Sequence, residues 1–312
     1  MRYGPVGTTG WDMTRLLTAL ASLLCLGLAA FGFTAASPLA LFDAIGPRDP
    51  GGRLAAKDQP FGEGPRRQLD VYVPTAAAEN APVLVFFYGG SWQSGSKDDY
   101  AFVGHALAAQ GFVTVLPDYR LYPDAPFPGF LEDGAAALAW VRDNITTFGG
   151  DPRRIVLAGH SAGAYNALML GLDPRYVTAA GVDPKVIKAV AGLSGPYDFL
   201  PLDQDTTLKV FGDAPDKAAT QPGTFVGPLS PPAFLATGDA DTVVKPRHTV
   251  SLAAKLRAEH VPVQERLYPG LDHKDTLLAL SVTFRSKAPE LAEMASFLMR
   301  QSAGRSQYTM RR

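Results

Sequence analysis

A chain of 312 residues with 46% hydrophobic content is long enough to bury one large core or two ordinary ones. Its 29 basic and 30 acidic side chains nearly cancel and are mixed along the chain, so there is no electrostatic footprint for nucleic acid. A single cysteine excludes an intrachain disulfide and a cysteine-based zinc site.

Residues 16–42 carry no charge, and Arg15 stands just before them. The run is longer than the roughly 7–15 apolar residues of a signal core and could span a bilayer, which needs about 20. Residues 1–47 are therefore expected to be a signal peptide or membrane anchor, with Thr34-Ala35-Ala36 as a small-residue cleavage site. An exported or anchored location follows, periplasmic or otherwise extracytoplasmic if the source is bacterial. The Gly-, Pro- and charge-rich stretch 48–66 reads as a linker.

The catalytic domain is expected over 67–301. Residues 67–73 alternate as a strand ended by Pro74, and 82–88 form a continuous apolar run, the mark of a strand buried on both faces. A helix over 100–110 closes at Gly111, a short strand follows over 113–117, and 130–144 forms an amphipathic helix. Then come a strand over 155–160, a helix over 162–172 and a strand over 186–193. Residues 201–232 break this rhythm with Pro, Asp and Thr and suggest a small lid over the site. A strand over 233–237, a helix over 248–259, a strand over 263–268 and a terminal helix over 288–300 complete the domain. The polar, basic tail 302–312 reads as disordered. Strands alternating with helices predict an α/β architecture, with a mostly parallel sheet covered on both faces.

The chemistry centres on Gly159-His160-Ser161-Ala162-Gly163, placed between an apolar strand and a helix. A strand turning sharply into a helix through Gly-x-Ser-x-Gly is the nucleophile elbow of α/β-hydrolases. Side chains at 159 or 163 would collide with the neighbouring strand or helix, which accounts for both glycines. A serine hydroxyl needs a base. His160 lies inside the elbow but points elsewhere, while His105, His248 and His260 fall on or at the end of helices. His273 instead follows a strand by a short loop, at the sheet edge where open α/β folds bind ligands. The acid should also follow a strand, and Gly238-Asp239-Ala240-Asp241 offers two. Asp241 has the reach to orient His273, Asp239 suits a turn cap, and Asp272 reads as a solvated loop acid. For a developing oxyanion, Ala162 supplies one backbone N–H, and Gly90 and Ser91 in Tyr88-Gly89-Gly90-Ser91-Trp92 are the other expected donors. Trp92 and Tyr88 are candidate substrate-binding aromatics, although Trp92 could equally be structural.

Together the stretches 87–92, Pro117-Asp118-Tyr119-Arg120-Leu121-Tyr122-Pro123, 159–163, 238–244 and 268–273 resemble the esterase branch of the α/β-hydrolases that includes hormone-sensitive-lipase-like carboxylesterases. The Tyr-Gly-Gly-Ser-Trp loop is most similar to isoprenylcysteine methylesterase-like proteins and their bacterial relatives. The resemblance spans about 69–297 and implies hydrolysis of a small carboxylic ester on Ser161, Asp241 and His273, with no metal and no cofactor. Two features depart from that pattern: Tyr88 and Ser91 replace the first His and the last Gly of the usual His-Gly-Gly-Gly loop, and the lid is modest. Asp118 and Arg120 read as an ion-pair or turn element bracing the oxyanion loop. A carboxylesterase is the leading expectation. Amide hydrolysis, of the arylformamidase or small-peptide kind, is the second reading, and a non-catalytic binding module the third.

Overall fold

The protein is described by a computed structural model over residues 37–76 and 79–303. One sheet contains β1 (Gly52–Pro60), β2 (Gln68–Pro74), β3 (Ala81–Phe87), β4 (Val113–Pro117), β5 (Gly150–His160), β6 (Ile187–Leu193), β7 (Ala233–Gly238) and β8 (Val263–Tyr268). Its strand order is β1-β2-β4-β3-β5-β6-β7-β8. β2 runs antiparallel to both β1 and β4, and every other pairing is parallel, as the alternation of strands and helices predicts. The helices, in chain order, are α1 (Pro38–Ile45), α2 (Ala101–Ala109), α3 (Gly129–Asn144), α4 (Ala162–Leu172) and α5 (Pro174–Ala179), then α6 (Asp205–Phe211), α7 (Arg247–Ala258), α8 (Asp275–Leu278) and α9 (Glu290–Ser302). Every residue of β3, β4 and β7 is buried, which is why β3 reads as an unbroken apolar run.

Register places the site. Phe87 pairs with Gly159, His160 with Leu193, and Gly238 with Tyr268, so β3, β5, β6, β7 and β8 end along one sheet edge. The loops carrying the candidate residues all leave from that edge, where a parallel sheet opens its ligand crevice.

Two stretches differ from expectation. Residues 48–66 are not a linker, because they contain the edge strand β1. Its sequence is polar since most of it faces solvent, and two register irregularities with a run of charge keep such an edge from recruiting another strand. The end of the 1–47 segment is likewise part of the domain. Ser37 caps α1 by accepting the Ala40 N–H, with Pro38 in the first turn. Phe42 then meets Phe102 edge-on at 5.4 Å, and the buried Asp43 holds Arg48 through both oxygens while accepting the Phe102 N–H. Residues 1–36, the rest of the expected export or anchor segment, lie outside the described residues, as do 304–312 of the expected disordered tail. Among the described residues no helix is long and apolar enough to cross a membrane.

The 201–232 segment contains α6 and two single 3₁₀ turns, Ala218–Thr220 and Pro222–Thr224. Phe211 anchors it: the ring is fully buried, 4.9 Å from Trp92 and 5.4 Å from Tyr165. Burying such a side chain contributes about 1.5–3 kcal/mol.

Candidate active site

Ser161 sits between β5 and α4 at φ 55° and ψ −124°, a strained backbone that lifts its hydroxyl out of the sheet. The turn closes only without neighbouring side chains. A Cβ at Gly163 would lie 2.0 Å from the Phe87 carbonyl oxygen, and one at Gly159 would lie 2.3 Å from the Gly163 carbonyl carbon. His273, on the loop after β8, places Nε2 2.9 Å from Ser161 Oγ. Its Nδ1 lies 2.8 Å from Asp241 Oδ2, on the loop after β7. The other oxygen of Asp241 accepts the N–H groups of Val243 and Val244, each at 2.9 Å. Burial would raise the Asp241 carboxyl, but the bond and charge of His273, the Val244 N–H and the Ser194 hydroxyl outweigh it and hold the group below the ordinary carboxylate range. The structure thus brings Ser161, His273 and Asp241 into one hydrogen-bonded line. Asp239 is exposed and caps the Gly270 N–H at 2.6 Å, while Asp272 accepts from Lys274 and Asp275 within its own loop.

The loop after β3 passes so close to Ser161 that a Cβ at Gly89 would lie 3.0 Å from the Ser161 Cβ. Ser91 and Trp92 both adopt positive φ, at 55° and 57°, which turns successive backbone N–H groups one way. The Gly89 N–H is taken by the Tyr100 hydroxyl at 3.2 Å, whereas those of Gly90 and Ser91 donate to no protein acceptor among the described residues. Ala162 opens α4, where an N–H has no intrahelical partner. These three groups form the free donor set beside Ser161.

Tyr88 and Trp92, expected as substrate-binding aromatics, instead belong to the scaffold. Tyr88 is 1% exposed; its ring stacks on Tyr119 at 4.5 Å and its hydroxyl accepts from Arg66 at 2.9 Å. Trp92 is 3% exposed; its indole N–H donates to Asn166 at 3.0 Å, and its ring packs among Phe130, Tyr165 and Phe211. A buried aromatic with a satisfied polar handle is what a folded core selects. Asp118 and Arg120 do brace this region, though not by pairing with each other. Asp118 accepts the buried Lys97 N–H at the far end of the loop, and Arg120 forks onto Asp133. The Tyr119 hydroxyl donates to the Tyr88 carbonyl at 2.8 Å, closing the near end.

Sequence reasoning passed over two residues that support the line. Ser194, at φ 49° after β6, is wholly buried behind Asp241, with Thr276 and Thr237 within hydrogen-bond reach. No motif marks it. His160 places Nε2 2.8 Å from the His273 carbonyl and so donates to the backbone that carries the imidazole. Desolvation, reinforced by the nearby His273, pushes the His160 ring down to about 3, so it stays neutral. Unfolded, the same ring binds a proton near its ordinary value of 6.5. The native state is therefore expected to lose about 1.4 kcal/mol per pH unit from this ring as pH falls from 6.5 toward 3. Denaturant titrations at pH 7, 5 and 4 should show that excess slope in the wild type and not in His160→Gln. Parallel slopes would contradict a buried neutral ring.

A profile of the BD-FAE family matches residues 69–256, from β2 through β7 and all but the last site loop. The chain belongs to the BD-FAE family. This BD-FAE member is 33% identical over 275 residues to esterase LipC of Mycobacterium tuberculosis, covering 80% of this chain and 66% of LipC. It is 37% identical over 147 residues to a probable isoprenylcysteine alpha-carbonyl methylesterase of Oryza sativa subsp. japonica, covering 46% of this chain and 35% of that relative. The chain therefore spans only part of the length of these curated relatives. Among solved structures, esterase B from Lactobacillus rhamnosis superposes with a TM-score of 0.74 at 20% identity, covering 94% of this chain and 97% of that one. A truncated carbohydrate esterase from gut microbiota gives 0.70 at 20% identity, covering 83% and 99%. At such identities the superpositions establish the fold, which is that of the α/β-hydrolases.

Proposed function

We propose that this BD-FAE member is a carboxylic ester hydrolase that works through an acyl-enzyme on Ser161. The observation that carries the reading is the unbroken run Ser161 Oγ–His273 Nε2–Asp241 Oδ2, at 2.9 and 2.8 Å. Ser161 attacks the ester carbonyl as His273 Nε2 takes the hydroxyl proton, and Asp241 stabilises the imidazolium that forms. Negative charge on the carbonyl oxygen meets the N–H groups of Gly90, Ser91 and Ala162, which are left without protein acceptors beside Ser161. Collapse expels the alcohol, which leaves with the proton from His273. Water, deprotonated by the same imidazole, then attacks the acyl-serine, and the proton returns to Ser161 as the acid leaves.

Amide hydrolysis could use the same groups, but the relatives named above, LipC and the methylesterase, weigh toward esters. A matched pair decides it: p-nitrophenyl butyrate should be turned over and the corresponding p-nitroanilide should not. Preference for the anilide would replace this reading with an amidase.

A further inference from the structure

His273 hangs on a part of the chain that regular structure holds loosely. It lies between the end of β8 and α8, a helix of one turn, and a single turn has little stability of its own. Its carbonyl is nevertheless held from two sides. His160 Nε2 donates to it at 2.8 Å from the elbow, and the Thr276 hydroxyl donates to it at 3.2 Å from α8. Both lone pairs of that oxygen are thereby occupied.

Thr276 is in turn tied to the sheet. Its Oγ1 lies 3.0 Å from Ser194 Oγ, and both side chains are wholly buried. Ser194 stands where the other two arms of the site meet. The carbonyl of its chain neighbour Leu193 accepts the Ser161 N–H at 2.9 Å. Its own N–H donates at 2.8 Å to Ala236 of β7, the strand that leads to Asp241. A serine keeps φ 49° in such a place only where its surroundings fix it, and backbone of that kind gathers at functional sites.

The acid sets the direction of these bonds. An ionised carboxylate only accepts, so the Ser194 hydroxyl gives its proton to Asp241 and its oxygen is left to accept from Thr276. The Thr276 proton is then shared between Ser194 Oγ and the His273 carbonyl, a three-centre bond. One pair of hydroxyls closes a ring that begins and ends on the Asp241–His273 contact.

We propose that Thr276, working through Ser194, is a positioning residue for the catalytic base, and that its hydroxyl keeps His273 Nε2 at bonding distance from Ser161. The role rests on the ester-hydrolase reading of Ser161 and goes beyond it, since it names what aims the imidazole. Thr276 is buried behind the base rather than beside the substrate, so its loss acts on kcat and not on KM.

Two substitutions separate the hydroxyl from the packing around it. Thr276→Val keeps the shape and removes the donor; it should lower kcat on p-nitrophenyl butyrate by about 10–100-fold while KM stays within about threefold. Thr276→Ser keeps the donor and removes a methyl, and should hold kcat within about threefold of wild type. Added to Ser194→Ala, Thr276→Val should cost little more, because the two hydroxyls act through one contact. The far-downfield Nδ1–H proton of His273, read by NMR, should be sharp in wild type and Thr276→Ser and broadened by exchange in Thr276→Val. The proposal is overturned if Thr276→Val is as active as wild type, if Thr276→Ser is as impaired as Thr276→Val, if the loss falls on KM instead, or if the two hydroxyl deletions are fully additive. Thr276→Ala takes the place of Thr276→Val in each arm if the valine variant fails to fold. If wild type turns over no ester, the hydrolase reading falls by itself and the resonance alone decides: a signal absent from wild type, or unchanged in Thr276→Val, overturns the proposal.

Discussion

Ser161→Ala is expected to lower kcat on p-nitrophenyl butyrate by about 10⁴–10⁶-fold, with the protein still folded. The size of the effect follows from how the residues act together. Without Oγ the imidazole of His273 has no proton to accept, and Asp241 has no imidazolium to stabilise. What remains is the donor set of Gly90, Ser91 and Ala162 acting on attack by water, a residual of about 10³–10⁴ over the uncatalysed reaction. Folding should survive, because alanine keeps the Cβ that already tolerates φ 55° at this turn and the hydroxyl makes no contact that holds the sheet together. Near-UV circular dichroism and thermal melting check the fold, and a fluorophosphonate probe should label wild type but not the variant. Turnover within tenfold of wild type would remove Ser161 from the mechanism.

The parts of the site legible in the sequence were those whose chemistry forces local sequence. The elbow needs two glycines around one serine, since a Cβ at 159 or 163 would overlap backbone atoms. His273 and Asp241 could be placed because each follows a strand that ends at the same edge, the buried β7 for Asp241 and the half-buried, more polar β8 for His273. Elements stabilised by tertiary contact alone were not legible. β1 has a solvent-facing pattern with no periodicity to read, and α1 is the end of an apolar run whose partners, Phe102 and Phe284, lie far along the chain. Tyr88 and Trp92 sit beside the donor groups in sequence, yet their rings turn into the core, because positive φ at 91 and 92 directs the backbone and not the aromatic toward the crevice. Ser194 and His160 act on residues distant in the chain, through single bonds that no local pattern encodes.

Asp241→Asn should lower kcat at neutral pH by about 10⁴-fold, as expected when the orienting carboxylate of such a line is lost. The direction of the damage can be derived from the backbone. Val243 and Val244 both donate to one oxygen of residue 241 at 2.9 Å, so an asparagine will keep its carbonyl there and turn its NH₂ toward His273 Nδ1. Facing a donor, Nδ1 must accept, which leaves the proton on Nε2, where it cannot receive one from Ser161. The tautomer is wrong and the geometry intact. Stability should respond in the same direction as for His160 but over a more acidic range. Because the folded-state value of Asp241 is depressed, its contribution is present above the ordinary carboxylate range and is lost as pH falls through the folded value. Acid unfolding of Asp241→Asn below about pH 4 should therefore be shallower than that of wild type. Asp239→Asn is the control, since that exposed carboxylate caps the Gly270 turn and faces no imidazole. If Asp239→Asn caused the large loss in kcat and Asp241→Asn did not, the orienting acid would have to be reassigned, although the Ser161–His273 contact would stand.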